Sequence, residues 1–168
     1  MPRLILLRHA KAERKSADGS DHDRALTGSG RKDSAAAGRS IAERGEKIDL
    51  VLSSDSRRTR ETWEGVGPQL REKPEVRMLR TLYDASDTYL PTLKEEGGKA
   101  ATILLVGHNP AIQRTAVTLA ADLADRDGKV LADDFPKAAL VVLDFDGAWE
   151  TLRPHRMRLA AFIVPERG

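Results

Sequence analysis

Two short apolar runs constrain this chain more than any other feature. Leu4-Ile5-Leu6-Leu7 stands near the N-terminus, and Thr102-Ile103-Leu104-Leu105-Val106 lies far downstream. Neither leaves room for a helix, so each reads as a buried strand. Both end abruptly in polar residues, the first in Arg8-His9 and the second in Gly107-His108-Asn109-Pro110. In open α/β sheets ligands bind at the carboxyl ends of the strands. Two strands that both finish in histidine therefore direct two imidazoles toward one pocket.

The rest of the chain alternates strand and helix patterns. That alternation predicts a three-layer α/β/α protein with a mostly parallel central sheet covered on both faces. Residues 1–168 fit one domain with a real core. Strand one spans about Arg3 to Leu7. The polar stretch from Lys11 to Ala25 reads as a long loop, and loops of that length in compact domains are often functional. Thr27 is placed to cap a helix from Gly28 to Arg44, with Gly45 as its stop, although Gly30 and Gly38 weaken that helix. Asp49 to Ser53 is a second strand, and Ser54 or Asp55 is placed to cap a helix carrying Arg57, Arg58, Thr62 and Trp63. Val76 to Leu79 is a weak strand. Ser86 is expected to cap a helix through Leu90 and Leu93 that stops at Gly97-Gly98. After the Thr102–Val106 strand, Pro110 suits a first helical turn. Ile112, Ala116, Leu119, Ala120 and Leu123 follow at helical spacing. Ala138 to Phe145 is a strand, Asp146-Gly147 a hairpin turn into Trp149–Leu152, and Leu159 to Val164 a last extended segment.

Composition excludes several classes. Net charge is +2, from 28 basic and 26 acidic side chains, which argues against a nucleic-acid binder that relies on bulk charge. Aromatics are few, so base-stacking platforms are not expected. No stretch approaches the ~18 consecutive apolar residues of a membrane helix, and the N-terminal run is too short for a signal-peptide core. With no cysteine, neither disulfides nor thiolate chemistry are available, and a cytoplasmic location is the default expectation.

The polar strand ends carry the chemistry. If the first, second and fourth strands are neighbours, Arg8, His9, Arg58 and His108 meet. An arginine fork matches phosphate oxygens bidentately, and a neutral imidazole can attack phosphorus and carry the group covalently. Phosphoryl transfer asks a protein mainly for positioning and charge stabilisation, and this set supplies both. The arginines stand in for the charge of a metal, so no metal or other cofactor is expected. Asp21-His22-Asp23 invites a metal reading but lacks ligand spacing. Gly28-Ser29-Gly30-Arg31-Lys32 lacks the glycine gap of a nucleotide loop and does not follow a strand directly.

These residues stand in an order similar to that of the histidine phosphatase (phosphoglycerate-mutase-like) superfamily. The family's Arg-His-Gly stands here as Arg8-His9-Ala10. The resemblance continues through Arg24-Ala25-Leu26-Thr27-Gly28, then Ser54-Asp55-Ser56-Arg57-Arg58-Thr59-Arg60-Glu61-Thr62, then Gly107-His108-Asn109-Pro110. Leu82-Tyr83-Asp84-Ala85-Ser86, Phe135-Pro136 and the short length look most like the SixA-type phosphohistidine phosphatases. The resemblance implies that His9 is the nucleophile, that Arg8 and Arg58 clamp the phosphate, and that His108 binds the transferring group. The family register singles out Arg58 from Arg57 and Arg60. Asp84 stands near the place of the carboxylate that larger members use as general acid, with a cap or turn role as its alternative. Arg24 either lines the substrate pocket or only pins the long loop.

The expected reaction is hydrolysis of phosphohistidine on a protein through phospho-His9. An imidazole leaves more readily than an alkoxide, so it needs less help from an acid. The alternatives are a small-molecule phosphomonoesterase of the same superfamily and a non-catalytic module for phosphorylated ligands. The expected partner is thus a phosphorylated protein or a small phosphate ester, with no nucleic acid and no membrane.

Overall fold

The computed structural model describes residues 1–165. Six strands form one sheet: β1 Arg3–Arg8, β2 Leu50–Ser54, β3 Glu75–Leu79, β4 Thr102–Gly107, β5 Leu140–Asp144 and β6 Arg158–Ile163. Their order across the sheet is β3-β2-β4-β1-β5-β6. β3, β2, β4 and β1 run parallel, and β5 and β6 close one side antiparallel. The parallel strands bring the carboxyl ends of β1, β2 and β4 to one edge, as the two strand-end histidines required.

Side chains of a strand alternate between the two faces, and the apolar runs divide accordingly. Leu4 and Leu6 of β1, with Ile103 and Leu105 of β4, join a core beneath α4 Leu90–Glu96, α5 Ala111–Leu119 and α6 Arg126–Asp133. Ile5 and Leu7, with Leu104 and Val106, join a second core beneath α1 Gly28–Glu43 and α2 Arg57–Val66. The three-layer architecture follows from this division. No helix among the described residues is long and apolar enough to cross a membrane.

α1 keeps its glycines because it packs at very short range. A Cβ on Gly30 would stand 2.2 Å from the carbonyl oxygen of Lys11, and one on Gly38 would stand 2.8 Å from that of Val66. Thr27 caps α1 by accepting from the Gly30 N–H, as expected. Gly45 ends the helix with φ +72°.

Several local expectations are corrected. Ser56, not Ser54 or Asp55, caps α2, because Ser54 is still within β2. Ser86 caps no helix. A short α3, Arg80–Asp84, precedes it, and α4 begins at Leu90 with Pro91 in its first turn. α5 ends at Leu119, because Ala120 turns extended and bridges to Met157. α6 was not anticipated, and Asp125 caps it. The segment after Asp146-Gly147 does not form a hairpin strand, since Trp149–Thr151 is a 3-10 turn and the returning strand starts at Arg158. Trp149 is the reason. Its ring is buried beside α4, and its indole N–H donates to the Ala100 carbonyl at 2.7 Å. That burial outweighs a tight turn.

Candidate active site

β1 ends at Arg8, and His9 is the first residue past the sheet. Its backbone N–H donates to Gly107 O at 3.0 Å, which extends the β1–β4 ladder by one step. The His9 ring is 7 % exposed, and its Nδ1 lies 2.7 Å from the Ala10 carbonyl. A carbonyl can only accept, so Nδ1 carries the ring proton and Nε2 keeps its lone pair. Burial pushes the imidazole well below its ordinary pKa, and the charges of His108, Arg58 and Arg8 add to that, against the opposing Ala10 bond. The ring is neutral at pH 7.

The segment around His9 is held from two sides. The Ala10 N–H donates to Thr62 Oγ1 at 3.1 Å, and the same hydroxyl donates to Arg58 O at 2.7 Å. Ala10 itself is buried and lies outside the left-handed region, so alanine fits where the family has glycine. On the other side, the Ala138 N–H is shared between the Arg8 and His9 carbonyls at 3.1 and 3.2 Å. Ala138 takes φ +62° to do this. The Phe135 carbonyl accepts from Arg8 Nη1 at 2.9 Å and from Asn109 Nδ2 at 3.3 Å.

His108 follows β4 directly. The His9 and His108 ring centroids are 5.2 Å apart. His108 Nε2 is 2.8 Å from Ser54 Oγ, and that hydroxyl also accepts from the Ser56 N–H at 3.3 Å. Among the described residues the Ser54 hydroxyl proton has no acceptor other than Nε2, so it is donated there and the ring proton is left on Nδ1. Nδ1 is buried and makes no hydrogen bond among the described residues. It is a donor held ready for an acceptor. Burial first, and then Arg58, push the His108 pKa down to about 3. Tyr89 fixes the His108 backbone, since its hydroxyl accepts from the His108 N–H at 2.9 Å and sits 3.3 Å from the His108 carbonyl.

Arg58 enters from the first turn of α2 and is 7 % exposed. Its Nη1 donates to Asp21 O at 2.9 Å and its Nη2 to Asp21 Oδ2 at 3.1 Å. Asp21 also accepts from the Tyr83 hydroxyl at 2.7 Å and from Arg24 Nη1 at 2.9 Å. The Tyr83 ring stands edge-on to His108 at 5.7 Å and to His22 at 4.8 Å. The Tyr83 bond is the largest of the influences that hold the Asp21 carboxyl far below the usual carboxylate range.

Of the residues expected from sequence, Arg8, His9, Arg58 and His108 meet at this edge. Asp84 does not join their contacts. It is exposed on α3 and ion-paired with Arg80 at 3.2 Å. Arg24 binds Asp21 and the Glu13 carbonyl, so it holds the long loop. The Asp21-His22-Asp23 triplet is split, with Asp21 on Arg58, His22 on Asp55 at 2.8 Å and Asp23 near Arg57 at 3.7 Å. Sequence reasoning missed Asp21 and Tyr83 as neighbours of the site. The signals available were the length of the loop that carries Asp21 and the Leu82-Tyr83-Asp84 segment.

Residues 4–85 match the model of the histidine phosphatase superfamily, branch 1. An uncharacterized protein of Mycobacterium leprae is 33 % identical over 147 residues, which cover 86 % of this chain and 89 % of that protein. This chain belongs to the histidine phosphatase superfamily. Among solved structures, the candidate phosphohistidine phosphatase SixA from Nakamurella multipartitia superposes with a TM-score of 0.85 at 29 % identity. That match covers 98 % of this chain and 96 % of the other. Its counterpart from Agrobacterium tumefaciens gives 0.78 at 30 % identity, covering 97 % of each chain. Within the histidine phosphatases, this chain is therefore of SixA type.

Proposed function

We propose that this histidine phosphatase hydrolyses phosphohistidine on a protein through a covalent phospho-His9 intermediate. The observation that carries the reading is the tautomer of His9. Its Nδ1–H is spent on the Ala10 carbonyl, so a neutral Nε2 lone pair remains on a ring whose centroid is 5.2 Å from that of His108, where Nδ1 makes no hydrogen bond among the described residues. In the first step Nε2 attacks phosphorus in line, and the bond to the leaving group breaks as the new N–P bond forms. Arg8, Arg58 and His108 Nδ1–H hold the phosphoryl oxygens, whose charge spreads in the transition state. In the second step water attacks phospho-His9. The N–P electron pair returns to Nε2, and the water proton goes to a phosphate oxygen.

Two features support imidazole as the leaving group. Asp84 is turned to Arg80 rather than to the histidines, and Asp21 is ionised. Neither is presented as a proton donor for an alkoxide. The chain acts in this reading as one cytoplasmic domain without a cofactor. Turnover of a phosphohistidine-bearing protein and of an aryl phosphate is the test, with wild type and His9→Ala. The expected result is a loss of about 10³-fold or more in kcat, together with an acid-labile phosphoryl label on wild type alone. Equal rates for the two proteins would end the nucleophile assignment. A clear preference for one small metabolite over the phosphoprotein would overturn the substrate choice.

A further inference from the structure

Asp21 is the carboxylate that ion-pairs with Arg58 of the phosphoryl clamp, and neither step above gives it work. It comes from the loop between β1 and α1, yet it is tied to α2 through Arg58 and to α3 through Tyr83. Its side chain is 52 % exposed while that of Arg58 is 9 % exposed. The carboxylate is therefore the solvent-accessible member of the pair, within reach of a group that approaches the buried Arg58 from outside. Tyr83 links the position to the reacting centre, since its hydroxyl holds Asp21 Oδ2 while its ring faces His108.

We propose that Asp21 is a catalytic residue for the leaving imidazole, accepting a hydrogen bond from the ring N–H of a phosphohistidine and so keeping that ring protonated. This rests on the phosphohistidine reading above. The chemistry balances without a proton donor. In a phosphoimidazolium the distal nitrogen already bears a proton. As His9 Nε2 bonds to phosphorus, the P–N bond breaks and its electron pair returns to the ring, which leaves as neutral imidazole with its N–H intact. An unprotonated ring would have to leave as an anion. Asp21 Oδ1 has one side-chain donor, Arg24, and so retains accepting capacity, whereas Oδ2 already holds both Arg58 and Tyr83.

The charged and titratable groups facing Asp21 are Arg24 from its own loop, Arg58 from α2, Tyr83 and the Arg80 stacked on it from α3, His108 from the end of β4, and His22 beside it. The arginines temper the field of the carboxylate. An opposite charge within ~4–6 Å typically shifts a pKa by about 1–3 units, and the lower end applies here. Above the ring's own pKa, one unit is about a tenfold gain in the protonated, reactive form.

The test compares wild type with Asp21→Asn and Tyr83→Phe on two substrates, a phosphohistidine peptide and p-nitrophenyl phosphate, whose leaving group has no ring N–H. Asp21→Asn is expected to lower the ratio of kcat/KM values, peptide over ester, about tenfold. It should also move the alkaline limb of the peptide pH profile about one unit toward acid. Tyr83→Phe should shift both in the same direction by less. An unchanged ratio, or an equal fall on both substrates, overturns the proposal and makes Asp21 a residue that only orients Arg58. Failure of wild type to turn over the peptide while it cleaves the ester would refute the phosphohistidine reading itself.

Discussion

Tyr89→Phe is the sharpest test of how the site is built. The Tyr89 side chain is fully buried, and burial pushes its phenol up to about 12, so the hydroxyl keeps its proton. That one oxygen accepts from the His108 N–H at 2.9 Å and lies within 3.3 Å of the His108 carbonyl. Phenylalanine preserves the ring and the packing but leaves the His108 N–H buried without its partner. An orphaned buried donor costs about 1–3 kcal/mol. In a chain of this size each kcal/mol moves Tm by about 2–4 °C, so a loss of ~4–8 °C is expected near the middle of that range. The same residue carries the Nδ1–H that would bind the phosphoryl group, and misplacing a catalytic group by ~1 Å can cost up to 10²-fold. A fall in kcat of roughly tenfold should therefore accompany the lower Tm. Calorimetry and turnover on one preparation check both. A Tm within 1 °C of wild type (roughly the shift from a few tenths of a kcal/mol) together with an unaltered kcat would refute this account of how His108 is held.

Ser54→Ala removes the hydroxyl that directs the His108 ring proton to Nδ1, so kcat on the aryl phosphate should fall about 10–10²-fold with a small change in KM. An unaffected kcat would show that the tautomer is set elsewhere. Gly30→Ala drives a Cβ into the Lys11 carbonyl. It should destabilise by about 1–3 kcal/mol, as overpacking does, and a denaturant midpoint equal to that of wild type would contradict the packing of α1 on the loop. Acid should also destabilise the protein. The folded-state pKa of His108 is about 3, below its ordinary value of 6.5, so its contribution is present above pH 6.5 and is lost as pH falls from there toward 3. His9 acts in the same direction. At about 1.4 kcal/mol per pH unit per group, His108 alone accounts for roughly 3 kcal/mol by pH 4. A Tm that stays flat from pH 7 to pH 4.5 would contradict two buried neutral histidines.

Much of the fold and the centre of the site were legible in the sequence. Strand-length apolar runs specify strands without knowledge of the rest of the chain, and their polar ends specify which edge is chemical. Thr27 and Gly45 marked α1 for equally local reasons, a cap hydroxyl and a left-handed stop. The elements that escaped were those whose reasons lie elsewhere. Trp149 looked like strand material because nothing nearby in sequence reveals that Ala100 and α4 are waiting to bury it. The cap of α2 moved from Ser54 to Ser56 because β2 holds Ser54, whose hydroxyl is turned to His108.

By itself, then, the sequence determined the architecture, the reactive edge and the Arg8, His9 and His108 that end its strands, since strand period and strand ends are properties of a few consecutive residues. Arg58 stood out from Arg57 and Arg60 only through the register of the family that the chain resembles. Only the tertiary structure decided the finer chemistry. Which nitrogen of each histidine bears a proton depends on Ala10 and Ser54 as partners. Asp21 rather than Asp84 meets Arg58, because Arg58 and Tyr83 reach the loop that carries it. Hydrogen bonds are short and directional, so residues far apart along the chain acquire these roles only once packing has brought them within about 3 Å.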